Sequence, residues 1–151
     1  MFEWLEGTPL AMWVSLSLWA YPALLSAHIV GLSTAVGIYV MRDLSCLGLV
    51  SGFSITGAAF RRLHRLALIG LLINVISGFL LFTSQASLLV TNTPFLIKMA
   101  CVVSASLIAI RLQARLVVEE EATTGLKGLA AGSLLLWMSA IVAGRLIAYW
   151  G

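Results

Sequence analysis

Residues 60–82 read "FRRLHRLALIGLLINVISGFLLF", and this stretch decides how the chain folds. Three arginines and a histidine open it. An apolar run follows that is long enough to cross a bilayer as a helix, which takes about 20 residues. His64, Ala67, Leu71, Asn74 and Gly78 recur at alternating spacings of three and four, so they share one helix face. His64 and Asn74 are the polar members, and they turn this face toward other helices rather than lipid.

Three similar stretches flank it. The spans are expected at about residues 16–40, 56–82, 94–112 and 129–150, the second starting at Phe60 or a few residues earlier. The Thr93-Pro94 pair is a start signal for the third. Of the 151 residues, 61% are hydrophobic and only 10% charged. A soluble domain carries about 25% charged residues, and the mean hydropathy here is +1.06. Such a chain cannot cover itself with a polar surface, so the lipid bilayer is its first partner. The expected fold is all-α: one domain, residues 1–151, forming a transmembrane four-helix bundle.

Charge placement orients it. Arg42, Arg61, Arg62 and Arg65 belong to the first connection, and Arg111, Arg115 and Lys127 to the third, while "TSQASLLVTNT" between the second and third spans has no charge. By the positive-inside rule, the first and third connections face the cytoplasm and both termini the other side. Trp13, Trp19, Tyr21, Tyr149 and Trp150 suit the outer interface, and Tyr39 the inner one. Glu119, Glu120 and Glu121 read as a solvated part of the third connection. The start, with Glu3 and Glu6 but no basic residue or cleavage site, is unlike a secretory signal, so the first span is expected to be retained. The net charge of +3 comes without basic and aromatic interleaving, and no nucleic-acid partner is expected. Cys46 and Cys101 lack metal-type spacing.

The two histidines are the strongest functional signal, because an ionisable group inside a membrane is costly. His28 lies deep in the first span, with Gly31 one turn away, where a missing side chain lets a flat macrocycle approach. Cys46 is midway between His28 and His64. A hairpin folded symmetrically there sets both imidazoles at one height, about 27 Å from the turn. Level histidines on neighbouring helices can each give one axial ligand to a haem b iron. Arg61, Arg62 and Arg65 then become propionate partners. This arrangement needs the second helix to begin near Gly52; a start at Phe60 offsets the histidines by about 10 Å. Structural hydrogen bonding, proton or metal handling and another ligand are the competing roles.

Lys98 and Arg145 lie at similar depth near the outer ends of the third and fourth spans. Interface anchoring is the plain reading, and holding a lipid phosphate, quinone oxygens or haem propionates is the functional one. Trp137, with Ser133, Ala140 and Gly144, forms a further stripe that fills a bundle gap or packs on a macrocycle. Asp43 reads as part of a turn with Arg42, so no acid is expected within any span. That argues against a carboxylate-driven transporter, and no Ser/His/acid set points to hydrolysis.

"WAYPALLSAHIVGLSTAVGIYVMRDLSCLGL", "LHRLALIGLLINVISGFLLF", "NTPFLIKMA" and "GRLIAYW" together resemble a family of small bacterial four-helix membrane proteins of unknown function. The pattern is also similar to the copper-resistance D membrane domain and to cytochrome b561-type haem bundles. The b561-type likeness implies one haem b on His28 and His64, in a bacterial inner membrane protein. The leading expectation is therefore an electron-relaying b-type cytochrome with a quinone or redox protein as partner. The alternatives are a cofactor-free accessory subunit of a larger membrane complex or homo-oligomer, and a copper or small-solute permease.

Overall fold

The computed structural model describes residues 2–51, 58–116 and 123–149. Among these the protein is all-α. Two short helices, α1 (Glu3–Glu6) and α2 (Pro9–Leu16), precede the long α3 (Ala20–Cys46) and α4 (Ala58–Thr83). A short α5 (Ala86–Thr91) leads into α6 (Thr93–Leu116) and α7 (Thr124–Leu146), which ends in a 3-10 turn, Ile147–Tyr149. Four helices are long and apolar enough to cross a membrane. Ile29, Leu72, Ile76, Val103, Leu107 and Leu135 are all exposed on them. This is the construction of a multi-pass membrane protein, in which lipid covers the apolar outside.

The first expected span differs from the helix found. Its start is broken at residues 17–19, because Pro22 has no N–H and its ring would clash with the carbonyl of residue 18 in a continuous helix. Ser17 caps the new start, its Oγ accepting from the Ala20 N–H at 3.2 Å. Its end runs six residues beyond Val40, to Cys46, and Gly48 then turns the chain at φ +77°. The third helix starts as expected at Thr93, where Asn92 Oδ1 accepts from the Phe95 N–H. The Glu119–Glu121 run, Trp150 and a helix start near Gly52 lie outside the described residues.

The bundle is two tight hairpins, α3/α4 and α6/α7, joined chiefly across α3 and α7. In the first hairpin the backbones nearly touch. A Cβ added to Gly31 would lie 2.6 Å from the Gly70 carbonyl oxygen, and one added to Gly70 would lie 2.8 Å from the Gly31 carbonyl oxygen. Close crossing on small residues is how membrane helices gain packing contact without a hydrophobic drive. Gly31 therefore admits helix α4, not a macrocycle. The common core draws on all four long helices: Ala35, Val36, Tyr39, Ala67, Ala105, Ala109 and Trp137.

Arg61, Arg62, Arg65, Arg111, Arg115 and Lys127 are exposed at one end of the bundle, the basic end. The other, terminal end carries α1, α2 and α5. There Glu6 Oε1 accepts from the Ser87 N–H at 2.7 Å and ties α1 to α5.

Candidate functional site

The α3/α4 register separates the two histidines. Gly31 meets Gly70, and Tyr39 packs on His64 with ring centroids 5.9 Å apart, so the hairpin is symmetrical about residue 51 rather than Cys46. His28 consequently faces Asn74, Ser77 and Gly78. Its Nδ1 donates to the Asn74 carbonyl at 3.0 Å and lies 3.2 Å from Ser77 Oγ, which itself donates to the Ile73 carbonyl. Asn74 Nδ2 donates to the His28 carbonyl at 3.0 Å. Gly78 makes room for the ring, since a Cβ there would lie 2.8 Å from His28 Cε1. Asn74 is thus a partner of His28, as its position on the polar stripe of α4 allows.

His64 stands ten residues before Asn74, about 15 Å along the same helix. Two axial nitrogens of one iron must lie within a few ångströms of each other across the metal. The expected level pair is not formed, and a haem shared by His28 and His64 does not fit these residues. Arg61, Arg62 and Arg65 are exposed at the basic end, remote from His28. Among the described residues no three His, Cys, Asp or Glu side chains group to hold a metal ion. Arg145 is exposed and folds onto its own helix end, with Nη2 donating to Tyr149 Oη at 2.8 Å.

What the bundle does bring together is a buried polar cluster toward the basic end. Its centre is Arg42 and Asp43, each 0% exposed and both inside α3. This corrects the expectation that no acid lies within a span. Asp43 Oδ1 accepts from Arg42 Nε at 2.9 Å and Nη2 at 2.6 Å, and Arg42 Nη1 donates across the bundle to the Ala109 carbonyl of α6 at 2.8 Å. The guanidinium also lies 5.0 Å from the Tyr39 ring centroid, a cation–π contact that strengthens when desolvated. The pair enters the bundle because each charge neutralises the other and the third fork of the arginine finds a carbonyl.

Aromatic rings wall the cluster. Tyr39 stacks on Trp137 at 6.0 Å with 14° between planes, and leans on His64. Tyr39 is fully buried, not at an interface as its position near the inner end had implied. Trp137 fills the gap between hairpins, as a central Trp among small neighbours does. Ser133 stands beside Asp43 from α7, and Gln113 is buried one turn beyond Ala109 on α6.

Six buried polar atoms make no well-formed hydrogen bond to a described residue: Tyr39 Oη, Asp43 Oδ2, His64 Nδ1, Gln113 Oε1, Ser133 Oγ and Trp137 Nε1, of which the Asp43 carboxylate and the Ser133 hydroxyl stand close enough to answer each other in part. They come from all four long helices. Native proteins leave few such atoms, and each calls for a cause, such as a bound water or ion or a catalytic role. Tyr39, Arg42, Asp43, Gln113 and Ser133 were not singled out from the sequence as site residues. A signal existed: Ala35, Tyr39, Arg42 and Cys46 recur at helical spacing on one face, and Asp43 is the only Asp of the chain.

No family model, no curated protein and no solved structure matches this chain. The functional reading rests on the cluster itself.

Proposed function

We propose that the protein binds a small, uncharged polar solute in the Arg42–Asp43 cluster and passes it across the membrane. The observation that carries this reading is the set of buried polar atoms without a well-formed partner, with Tyr39 Oη, His64 Nδ1, Gln113 Oε1 and Trp137 Nε1 supplying one from each long helix beside the Asp43–Ser133 pair. Each such atom costs about 1–3 kcal/mol when left dry, and apolar residues of similar size exist for nearly every one of these positions. Trp137 Nε1 can only donate, Asp43 Oδ2 and Gln113 Oε1 can only accept, and the others do either. A guest with both donors and acceptors satisfies the set. Arg42 and Asp43 cancel in charge, so the site offers no net attraction to an ion of either sign.

Two features support passage rather than binding alone. His64 is half-buried, with its Nδ1 in the cluster and part of its ring exposed, which gives access toward the basic end. Toward the other end, the common core includes the small side chains Ala35, Ala67 and Ala105, each one helical turn from Tyr39, His64 and Ala109 respectively. The basic end faces the cytoplasm in this reading, by the same positive-inside argument. A bacterial inner membrane is the location that the family resemblance implies. Electron relay through one haem, with a quinone or redox protein as partner, is set aside because ten residues of α4 separate the levels of the histidines.

The test is swelling of proteoliposomes shrunk osmotically with urea, formamide or glycerol. Re-swelling faster than in protein-free liposomes, and slowed by Tyr39→Phe, which leaves the Arg42–Asp43 pair intact, is the expected result. Equal rates with and without protein for all three solutes contradict it.

A further inference from the structure

Seven residues from the common core, toward the terminal end, each long helix carries a second core-facing position. Ala35, Ala67, Ala105 and Trp137 belong to that core, one from each long helix. Seven residues make nearly two full turns, so the same step keeps the helix face and moves about 10 Å along the axis. On α3 and α6 the step runs backward, to His28 and Lys98. On α4 and α7 it runs forward, to Asn74 and Gly144. The bundle thus sets an imidazole, an amide, an ammonium and a bare backbone on its core-facing sides at this end.

Three interactions join the set. Asn74 Nδ2 donates to the His28 carbonyl at 3.0 Å. The Lys98 stem crosses from α6 to α7, with Cδ, Cε and Nζ 3.5, 3.6 and 3.8 Å from the point where a Gly144 Cβ would stand. Lys98 and His28 are within electrostatic reach of each other. A lysine near the end of a membrane helix ordinarily bends its stem to the surface. This one is half-buried and leans across the seam onto the core-facing side of α7.

The charge of the set is not answered from within the described residues. His28 adds a base rather than an acid, and Asn74 and Ser77 are uncharged. The ion pair found among the described residues is Arg42–Asp43, toward the basic end. The acids at the terminal end are Glu3, which is exposed, and Glu6, which accepts from the Ser87 N–H. Among the described residues no carboxylate and no hydrogen-bond acceptor pairs with the ammonium. A cation drawn partly out of water without a partner is costly, and an anion beside it offsets the cost. One ammonium calls for one negative charge. Four helices bound the space, and α2 packs on α3 and α4 at this end, so the anion is small.

We propose that Lys98, beside the His28–Asn74 pair, forms an interior site for a small monovalent anion of the size of chloride or formate. The site is separate from the Arg42–Asp43 cluster, and the two proposals stand or fall independently.

Thermal unfolding of the full chain, stripped of lipid in a non-ionic detergent, tests this. At constant ionic strength, sodium chloride or sodium formate in place of sodium gluconate should raise the midpoint by roughly 3 °C and then saturate, through binding to the folded state. Gluconate has the same charge and is too bulky for the interior. Lys98→Met should remove the rise. Arg61→Gln with Arg62→Gln, at the exposed basic end, should leave it. Chloride-35 line broadening by the unaltered protein, relieved by formate and not by gluconate, reports occupancy without any variant. Equal midpoints in the three salts overturn the proposal, as does a rise that survives Lys98→Met or broadening that gluconate relieves equally. A rise given by phosphatidylglycerol and by neither chloride nor formate also overturns it, because a lipid headgroup then occupies the lysine.

Discussion

His28 and Asn74 bind each other twice across the α3–α4 interface. The imidazole Nδ1 donates to the Asn74 carbonyl, and the Asn74 amide donates to the His28 carbonyl, both at 3.0 Å. The first acceptor is the Asn74 backbone, which Asn74→Ala keeps, so that substitution removes the side-chain bond to the His28 carbonyl and should cost about 0.6 kcal/mol, a usual value for a polar contact between membrane helices. Unfolding by a denaturing detergent reads this directly. Because His64 lies a further ten residues along α4, the visible absorption spectrum of the purified protein should be the same with and without either histidine. A Soret band lost in both His28→Ala and His64→Ala would restore the shared haem.

The crossing of Gly31 and Gly70 gives a second expectation. Gly31→Ala puts a methyl 2.6 Å from a backbone carbonyl, and neither helix can yield without parting. The cost should be about 1–3 kcal/mol, as for other overpacked sites. Gly37 is on the same helix with nothing within 4 Å of its added Cβ. Gly37→Ala should stabilise by about 0.5–1 kcal/mol through backbone entropy. Equal effects of the two substitutions on the unfolding midpoint would contradict the close crossing.

Arg42 and Asp43 should behave as a unit. Removing one partner leaves an unpaired buried charge, so Arg42→Met or Asp43→Leu alone should cost about 3–5 kcal/mol. The double substitution should recover most of that loss, since a buried pair is often no more stabilising than apolar residues of similar volume. A double-substitution cycle on unfolding free energy gives the coupling. Additive single effects would place the pair outside the packed bundle.

The four long helices were legible from hydropathy alone, because about 20 apolar residues in a row leave few other structures. The third helix start was legible in Thr93-Pro94. The end of α3 was not. Arg42 and Asp43 read as a turn because a charge inside a span is costly, and only the fold reveals that they neutralise each other and reach the Ala109 carbonyl. Hairpin register was equally hidden. A midpoint at Cys46 and one at residue 51 differ by five positions, which moves the level partner of His28 from His64 to the Asn74–Ser77 turn. Gly31 and Gly70 set that register, but which glycines face each other is a long-range fact. The buried polar atoms of Tyr39, Gln113 and Ser133 come together only when four helices converge, so no single stretch of sequence announces them.

Tyr39 separates a structural core from a working one. Its hydroxyl is buried and meets no partner among the described residues, while its ring packs on His64, Arg42 and Trp137. Tyr39→Phe keeps the ring and deletes only the hydroxyl. It should leave the fold as stable as before or stabilise it by about 1 kcal/mol, since an unsatisfied buried group is removed. The most direct measurement is urea, formamide and glycerol permeation into proteoliposomes of the unaltered protein and of Tyr39→Phe, with unfolding stability recorded alongside. Protein-dependent permeation of at least one solute, reduced several-fold in Tyr39→Phe without loss of stability, is the expected result. No protein-dependent permeation of any of the three, or permeation indifferent to the hydroxyl, would contradict a solute site in this cluster.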